Sequence, residues 1–256
     1  MYLPVYFNLL YKMMSEFAKI ITIILGEKQM YRVEDKYVCS KNELYILQKR
    51  LETILPSDSN QIKEEGYVIS SVYFDDLCDS DLQDTIEGNR QRKKYRIRIY
   101  NRSLDVIKLE VKYKKYNRVL KKSRTISAEQ MDNLLKGECV EEETYGKEDP
   151  IDLFNLAIKN RGLKAKVIVE YDRKAFVYEP GNVRITLDRN LRGSKNVEKF
   201  GKKDMIFDRV KKEPDVLEVK YDEFLPGFIS QTIEIGNLNQ VSFSKYRICR
   251  ELVGGR

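Results

Sequence analysis

The string LEVKY stands at 109–113 and again at 217–221, and it decides how the chain is interpreted. Successive side chains of an extended strand point to opposite faces. Each copy therefore places leucine, valine and tyrosine on one face and a glutamate–lysine pair on the other. Both copies predict strands with one apolar face and one face that carries only charge.

The same alternation extends to RVEDKY at 32–37, KYRIRIY at 94–100 and VRITLD at 183–188. The polar faces of these stretches are formed by Arg32, Glu34, Lys36, Lys94, Arg96, Arg98, Arg184, Thr186 and Asp188. A half-solvated antiparallel sheet alternates in the same way. Solvated faces usually mix charge with Thr, Ser, Gln and Asn, however, and these residue types are scarce on the polar faces of these strands.

We therefore predict an α+β fold: a closed antiparallel β-barrel, or tunnel, with a charged lumen and several flanking helices. Arginine is favoured where a rigid fork of donors must hold phosphate. Such a lumen would attract a polyanion, and its few carboxylates are suited to holding a divalent metal ion.

Composition narrows the range of functions. The chain has 256 residues, and its net charge is 47 − 40 = +7, which favours an anionic partner. It contains no histidine, so histidine triads and histidine general bases are excluded. The four cysteines, Cys39, Cys78, Cys139 and Cys249, have no zinc-site spacing. We interpret them as reduced thiols and expect a cytoplasmic protein.

Turn residues divide the chain into short elements. Strands are predicted at 31–38, 67–74, 94–100, 106–114, 119–126, 166–178, 183–188 and 216–221. Helices are predicted to begin at Ser40 and Ser127, each with a capping-box partner three residues later, and at Pro150. The segment 228–238 looks helical, and 244–252 closes the chain. The segments 75–84, 138–149 and 195–212 are interpreted as loops.

Residues 1–29 differ from the rest, because they are apolar and aromatic with few charges. Their uninterrupted apolar stretch, 20–25, is too short to span a bilayer, and no signal-peptide pattern is present. We expect an N-terminal extension at 1–29 and one tunnel domain at 30–256. The extension is either an amphipathic helix that covers the barrel or a stretch that precedes a natural start at Met30.

Five motifs in a fixed order carry a family resemblance: YRVEDKY at 31–37, R-x-K-x-R-x-R-x-Y at 92–100, YDRKAF at 171–176, LEVKY at 217–221 and SKY at 244–246. Together they resemble the VTC domain, the catalytic polyphosphate-polymerase domain of vacuolar transporter chaperone proteins. That family belongs to the triphosphate tunnel metalloenzymes, and the resemblance covers roughly residues 30 to 250.

The resemblance implies an ATP-dependent polyphosphate polymerase that needs Mn²⁺ or Mg²⁺ and transfers the γ-phosphate to a growing phosphate chain. It implies catalytic roles for Lys36, Arg96, Arg98, Lys112 and Lys220. Binding of phosphate or nucleotide falls on Arg32, Lys122, Arg173, Arg184 and Lys245, although Lys121 can be aligned in place of Lys122. The metal ligand falls on Glu218. Glu34 and Glu110 are further metal ligands or partners of basic residues, and pairing is favoured.

Two other functions remain open. The first is a hydrolase of the same superfamily that acts on triphosphate or nucleotides, and the second is a non-catalytic module that binds polyphosphate. The first strand carries Arg32 two residues before Glu34, where hydrolytic members often have a second glutamate, and this favours the polymerase. We expect neither the regulatory SPX domain of eukaryotic VTC proteins nor a transmembrane segment. We expect no nucleic-acid partner, and no oligomeric state is predicted.

Overall fold

The computed structural model describes residues 31–58, 61, 65–140, 146, 148–210, 215–236 and 238–254. The apolar stretch 1–29 lies outside these ranges, so its helical character stays a prediction. In the described ranges no helix is both long enough and apolar enough to cross a membrane.

Nine strands are present in the described ranges: β1 (Arg32–Cys39), β2 (Tyr67–Asp75), β3 (Gln91–Tyr100), β4 (Ser103–Lys115), β5 (Arg118–Ile126), β6 (Lys164–Tyr178), β7 (Val183–Ser194), β8 (Asp208–Arg209) and β9 (Asp215–Tyr221). Neighbours pair antiparallel in the order β6-β2-β3-β4-β5-β1-β9-β7, and β7 pairs back with β6. Eight of these strands therefore form a closed barrel, as the sequence predicts, and the short β8 extends it beside β7.

Six α-helices flank the barrel in the same ranges: α1 (Lys41–Ile54), α2 (Ser80–Ile86), α3 (Ala128–Lys136), α4 (Pro150–Arg161), α5 (Gly227–Ile233) and α6 (Lys245–Gly254). Local chemistry fixes their ends. Ser40 and Ser127 both form the predicted capping boxes. Gly137 and Gly162 terminate α3 and α4 in the left-handed conformation that glycine adopts without strain.

The apolar strand faces point outward and are covered by helices. On one side, α3 and α4 pack over the outer faces of β3 and β4, where Ile97, Leu109 and Phe154 are fully buried. On the other side, α1 and α5 cover β7 and β9 through residues such as Leu47 and Leu217. Because each wall buries its apolar face on the outside, the alternate side chains must point into the barrel.

A third apolar cluster lies inside the barrel and partly fills it. The inward faces of β2 and β6 contribute Tyr67, Tyr73 and Tyr171, and α6 contributes Tyr246 and Cys249. The Tyr73 and Tyr246 rings stack with centroids 5.1 Å apart. Helix α6 therefore closes part of the interior, and the charged lumen occupies what remains.

The barrel strands β1 and β5 pair over only a short length. Strands β1 and β5 pair only through Arg32 with Val119 and Val33 with Arg118. The rest of this edge of β1 contacts residues 240–244, which we call the strap. Its Val241 amide donates to the Lys36 carbonyl over 2.8 Å. The strap leads directly into α6, and its residues line the lumen.

The structure corrects several predicted boundaries. Part of the loop predicted at 75–84 is α2, whose first turn donates its amides to the carboxylates of Asp75 and Asp76. Strand β3 begins at Gln91 rather than at 94, and β7 continues to Ser194. The helix predicted at 228–238 ends at Ile233.

Candidate active site

A cavity of about 370 Å³ occupies the lumen. Its lining comes from strands on both sides of the barrel, from the strap and from the first turn of α6. Among the described residues, ten basic side chains and two acidic ones line it: Lys36, Arg92, Lys94, Arg96, Arg98, Lys112, Lys114, Arg173, Lys220, Lys245, Glu34 and Glu218. An enclosed site with this excess of positive charge is suited to an anion of high charge density.

The first cluster joins β1, β4 and β9. The Glu34 carboxylate accepts two hydrogen bonds from Lys112 Nζ, at 2.8 and 2.9 Å. Lys36 Nζ lies 3.2 Å from the same carboxylate. Lys220 Nζ lies between two carboxylates, 3.2 Å from Glu218 and 3.8 Å from Glu34. Three lysines thus share two glutamates, and the cluster retains an excess of positive charge.

The second cluster joins β3, β4 and β5. Glu110 is fully buried and accepts hydrogen bonds from Arg96 Nε at 2.6 Å and Lys121 Nζ at 2.8 Å. Arg98 Nε lies 4.0 Å from the same carboxylate. Arg96 also donates to the Tyr73 hydroxyl over 3.0 Å. Glu110 therefore orients Arg96, whereas Arg98 donates to the Ser71 and Tyr171 hydroxyls.

The third cluster joins β6, β7, β9 and α6. Arg173 forms a two-pronged pair with Asp188, at 2.6 and 2.7 Å, and also reaches Glu218 at 3.2 Å. Lys245, at the start of α6, lies 2.7 Å from Asp188 and 4.8 Å from the Tyr171 ring centroid. Asp188 thus holds two basic side chains toward the lumen.

The carboxylates of these clusters stay ionised despite their burial. Burial and Glu218 raise the pKa of Glu34, but Lys112, Lys36 and Lys220 outweigh them and hold it at about 2. Burial opposes ionisation of Glu218 as well, yet Lys220 and its other basic neighbours keep its pKa well below the usual range. Burial lowers the pKa of Lys220 to about 7, against the pull of both glutamates. An anionic ligand would raise that pKa and keep the lysine charged.

Positive charge is least compensated at the mouth where β3 begins and β4 ends. Arg92, Lys94 and Lys114 form no ion pair with a carboxylate in the described part of the chain. Burial, followed by neighbouring cations, lowers the pKa of Lys94 and Lys114. Lys94 Nζ instead donates to the Ser244 hydroxyl of the strap, at 2.9 Å. These cations are left for a ligand to neutralise.

Most of the residues that the resemblance implies meet in this lumen. The cavity brings together Lys36, Arg96, Arg98, Lys112, Arg173, Lys220, Lys245, Glu34 and Glu218. Glu110 lies beside them, bound to Arg96. Their assignment to catalysis and binding stays a prediction, but the proximity that this assignment needs is present.

Three implied residues lie elsewhere. Lys122 points to the outer face of β5, where it pairs with Glu148, while Lys121 points inward to Glu110. The alignment that places Lys121 in the lumen is thus the one that the structure favours. Arg184 and Arg32 lie outside the cavity lining. Arg184 pairs with Asp58 at 2.6 Å, and Arg32 pairs with Asp222 at 2.9 Å.

Several residues of the site are not predicted from the sequence. Arg92 is the first residue of the R-x-K-x-R-x-R-x-Y motif, but it precedes the strand predicted at 94–100, and Lys114 ends the strand predicted at 106–114. Neither residue is assigned to the site from the sequence. The strap could not be predicted to line the cavity, because nothing in QVSFS indicates where the chain crosses the barrel. Lys36 Nζ donates to the Phe243 carbonyl of the strap at 3.0 Å, so the strap also holds a lumen lysine.

The acidic residues limit how a metal ion is held. In the described part of the chain, no three carboxylate or thiol groups are grouped as a complete protein site for a metal. Glu34 and Glu218 are separated by Lys220, which contacts both. Mg²⁺ is commonly bound by one or two carboxylates together with phosphates of the substrate. Glu34 and Glu218 fit a metal ion that is held partly by these carboxylates and partly by the phosphates of a bound triphosphate.

Solved structures resemble this fold at low sequence identity. A Hippeastrum protein, described as an adenylyl cyclase candidate with a dominant triphosphatase activity, gives a TM-score of 0.51 at 13% identity, covering 87% of this chain and 96% of its own. A Bacillus halodurans protein described as an adenylate cyclase candidate gives 0.47 at 16% identity, covering 75% and 80%. The Mimivirus capping-enzyme triphosphatase gives 0.38 at 12% identity, covering 81% and 88%.

At this level of identity the likeness concerns the fold alone. None of the curated protein sequences matches the chain. The model of the VTC domain family does match it, over residues 31–253, which includes all the barrel strands and all but the last residue of α6. The chain therefore belongs to the VTC domain family.

Proposed function

We propose that this protein is a polyphosphate polymerase that transfers the γ-phosphate of ATP to a growing chain of inorganic polyphosphate. The single observation that carries the proposal is the enclosed lumen, in which ten cations face two carboxylates among the described lining residues. Membership of the VTC domain family supports the same activity.

The chemistry requires little covalent work from the protein. An oxygen of the terminal phosphate of the chain attacks the γ-phosphorus of ATP. The bond from that phosphorus to the β–γ bridging oxygen breaks, and ADP leaves with the electron pair. The attacking phosphate is already ionised near neutral pH, so the absence of histidine is no obstacle. Positioning and neutralisation of charge dominate the catalysis of such a transfer.

Arg96, Arg98 and Arg173 offer fixed forks of donors for phosphate oxygens, because carboxylates already orient Arg96 and Arg173. Lys36, Lys112, Lys220 and Lys245 supply point charges around the same space. Glu218, with Glu34 near it, would hold Mn²⁺ or Mg²⁺ together with the triphosphate. That ion would neutralise charge on the β- and γ-phosphate oxygens.

Incubation of the purified protein with ATP and Mn²⁺ tests the proposal, with the products separated on a polyacrylamide gel that resolves phosphate chains. The proposal predicts long chains that appear as ATP is consumed. Release of orthophosphate without chains would instead assign the lumen to a hydrolase. Tight binding of added polyphosphate without any turnover would assign it to a non-catalytic binding module.

A further inference from the structure

A second cavity, of about 420 Å³, adjoins the lumen cavity at the mouth where β3 begins and β4 ends. The two cavities share Arg92 and Lys114 in their linings. The second cavity continues past them to Lys93 and Lys115, and it lies outside the lumen residues that the resemblance implies. We call Arg92, Lys93, Lys114 and Lys115 the rim cluster.

The sequence explains how charge passes around the rim. Three consecutive cations, 92–94, follow Gln91 at the start of β3, and Lys114 and Lys115 end β4. Consecutive residues of a strand point to opposite faces, so such runs must place charge on both faces. Arg92 pairs in register with Lys114, and Gln91 pairs with Lys115. Basic side chains therefore lie on both the inner and the outer face of the barrel wall at this edge.

Farther along, the same outer face is apolar core. Tyr95 and Ile97 of β3 and Val111 of β4 are buried under α4 and its neighbours. The exposed pair Lys93 and Lys115 is thus a local departure from the apolar pattern of this face, confined to the rim. Solvated lysines at a strand end would explain the departure if they stood on a flat surface, but these two lysines line a cavity that shares Arg92 and Lys114 with the lumen cavity.

The rim cluster is poor in counter-charge. Five basic and two acidic residues of the described chain line the second cavity, and one of the five, Arg161, is already committed to Asp76 and Asp81 at 2.8 Å each. Lys93 and Lys115 form no ion pair with a described carboxylate. The lysines of the deep lumen are paired, by contrast, because Lys36, Lys112 and Lys220 all contact Glu34.

We propose that the rim cluster binds extended inorganic polyphosphate, continuing the phosphate path from the lumen around the β3–β4 edge to the outer surface. The choice of polyphosphate as ligand rests on the proposed function. A nucleoside fits the second cavity less well. The ring of Tyr113, one of the two described tyrosines in its lining, already carries Lys93 Nζ and Lys122 Nζ at 5.4 and 5.7 Å from its centroid.

The path predicts that affinity depends on chain length. Tripolyphosphate is short enough to be held by the lumen alone, whereas a long chain reaches the rim as well. The Lys93→Ala/Lys115→Ala double variant removes two exposed side chains, so the fold is retained. The matched control is Lys202→Ala/Lys203→Ala, which removes the same charge from two exposed positions of the basic loop at 195–210.

Binding of tripolyphosphate, long-chain polyphosphate and ATP to the full chain is measured by isothermal titration calorimetry at fixed ionic strength. The rim variant should bind the long chain about fivefold more weakly, since two exposed charge contacts are lost. Its tripolyphosphate and ATP affinities should stay within about twofold of the parent, and the control should bind all three ligands like the parent.

Four results would overturn the proposal. They are an unchanged long-chain affinity, an equal loss for tripolyphosphate, a loss confined to ATP, or the same loss in the control variant. An equal loss for tripolyphosphate would indicate only a diffuse electrostatic effect, and a loss confined to ATP would assign the cavity to the nucleoside. If the rim variant behaves as predicted while the protein makes no polyphosphate from ATP, the rim site stands and the polymerase assignment fails.

Discussion

Replacing Asp188 with asparagine should lower stability and raise the affinity for tripolyphosphate. Asp188 is buried, and its carboxylate lies 2.6 and 2.7 Å from Arg173 nitrogens and 2.7 Å from Lys245 Nζ. Breaking a buried pair of this kind costs about 3–5 kcal/mol. Because asparagine keeps the shape and Glu218 stays 3.2 Å from Arg173, we expect a loss near the lower end, about 3 kcal/mol. This corresponds to a fall in Tm of about 6–12 °C for a domain of this size.

Affinity should change in the opposite direction. The substitution removes one negative charge from behind two cations of the lumen lining, and it frees Arg173 and Lys245 for phosphate oxygens. Loss of one repulsion at this range is worth on the order of 1–2 kcal/mol, so the Kd for tripolyphosphate should fall about tenfold. Thermal unfolding at increasing tripolyphosphate concentration measures both effects, since a ligand that binds only the folded state raises Tm.

Glu170→Gln is the matched control. Glu170 is fully buried and pairs with Arg102 at 2.6 Å and Arg192 at 2.7 Å, but neither arginine lines the lumen cavity, whereas both basic partners of Asp188 do. It should lose comparable stability with no gain in affinity. If Asp188→Asn also leaves the tripolyphosphate Kd unchanged, the cations of the lumen do not leave their carboxylate partners to bind phosphate. That result would refute the reasoning.

Four further outcomes are expected. Arg98→Ala should weaken tripolyphosphate binding at least tenfold, as measured by calorimetry, because a charged donor is worth about 1.5–3 kcal/mol; an unchanged Kd counts against the lumen as the binding site. Glu218→Gln should abolish metal-dependent turnover of ATP while metal-free tripolyphosphate binding persists, and full activity would contradict its role as a metal ligand. Acid should destabilise the fold as pH falls from about 4 to 2. Glu34 and Asp76 have folded-state pKa values of about 2, below their ordinary values of 4.5 and 3.8, so the stability that they contribute is present above pH 4 and is lost when they are protonated. A urea midpoint that does not change over this pH range would contradict this prediction. Gly66→Ala should cost about 2 kcal/mol or more in denaturant unfolding, because φ is +107° and the added Cβ would clash with the Arg173 carbonyl oxygen; parent-like stability would argue against this backbone conformation.

Alternation of polarity made the barrel predictable. In the LEVKY and KYRIRIY strands the aliphatic side chains all lie on one face and the charged side chains on the other. The structure buries the apolar faces under helices and places the charged faces in the lumen. Helix ends at Ser40, Ser127, Gly137 and Gly162 are equally predictable, because their signals act within one turn. These features depend on residues close in sequence.

Features that depend on how separate elements are placed in space were not predictable. The first turn of α2 is capped by Asp75 and Asp76, so its acidic sequence resembles a loop until β2 places those carboxylates beside it. The sequence allows either Lys121 or Lys122 to point into the lumen, and only the register of β4 with β5 decides between them. The alternation in VRITLD assigns Asp188 to a polar strand face, but its partner Lys245 reaches it from a helix far along the chain.

The most direct test of the account is a crystal structure of the protein with tripolyphosphate. The account predicts phosphates inside the barrel, within hydrogen-bond distance of Arg96, Arg98 and Lys36, with the terminal phosphate directed to the mouth that holds Arg92 and Lys114. Tripolyphosphate bound only on the outer surface, with the lumen cations still paired to their own carboxylates, would contradict it.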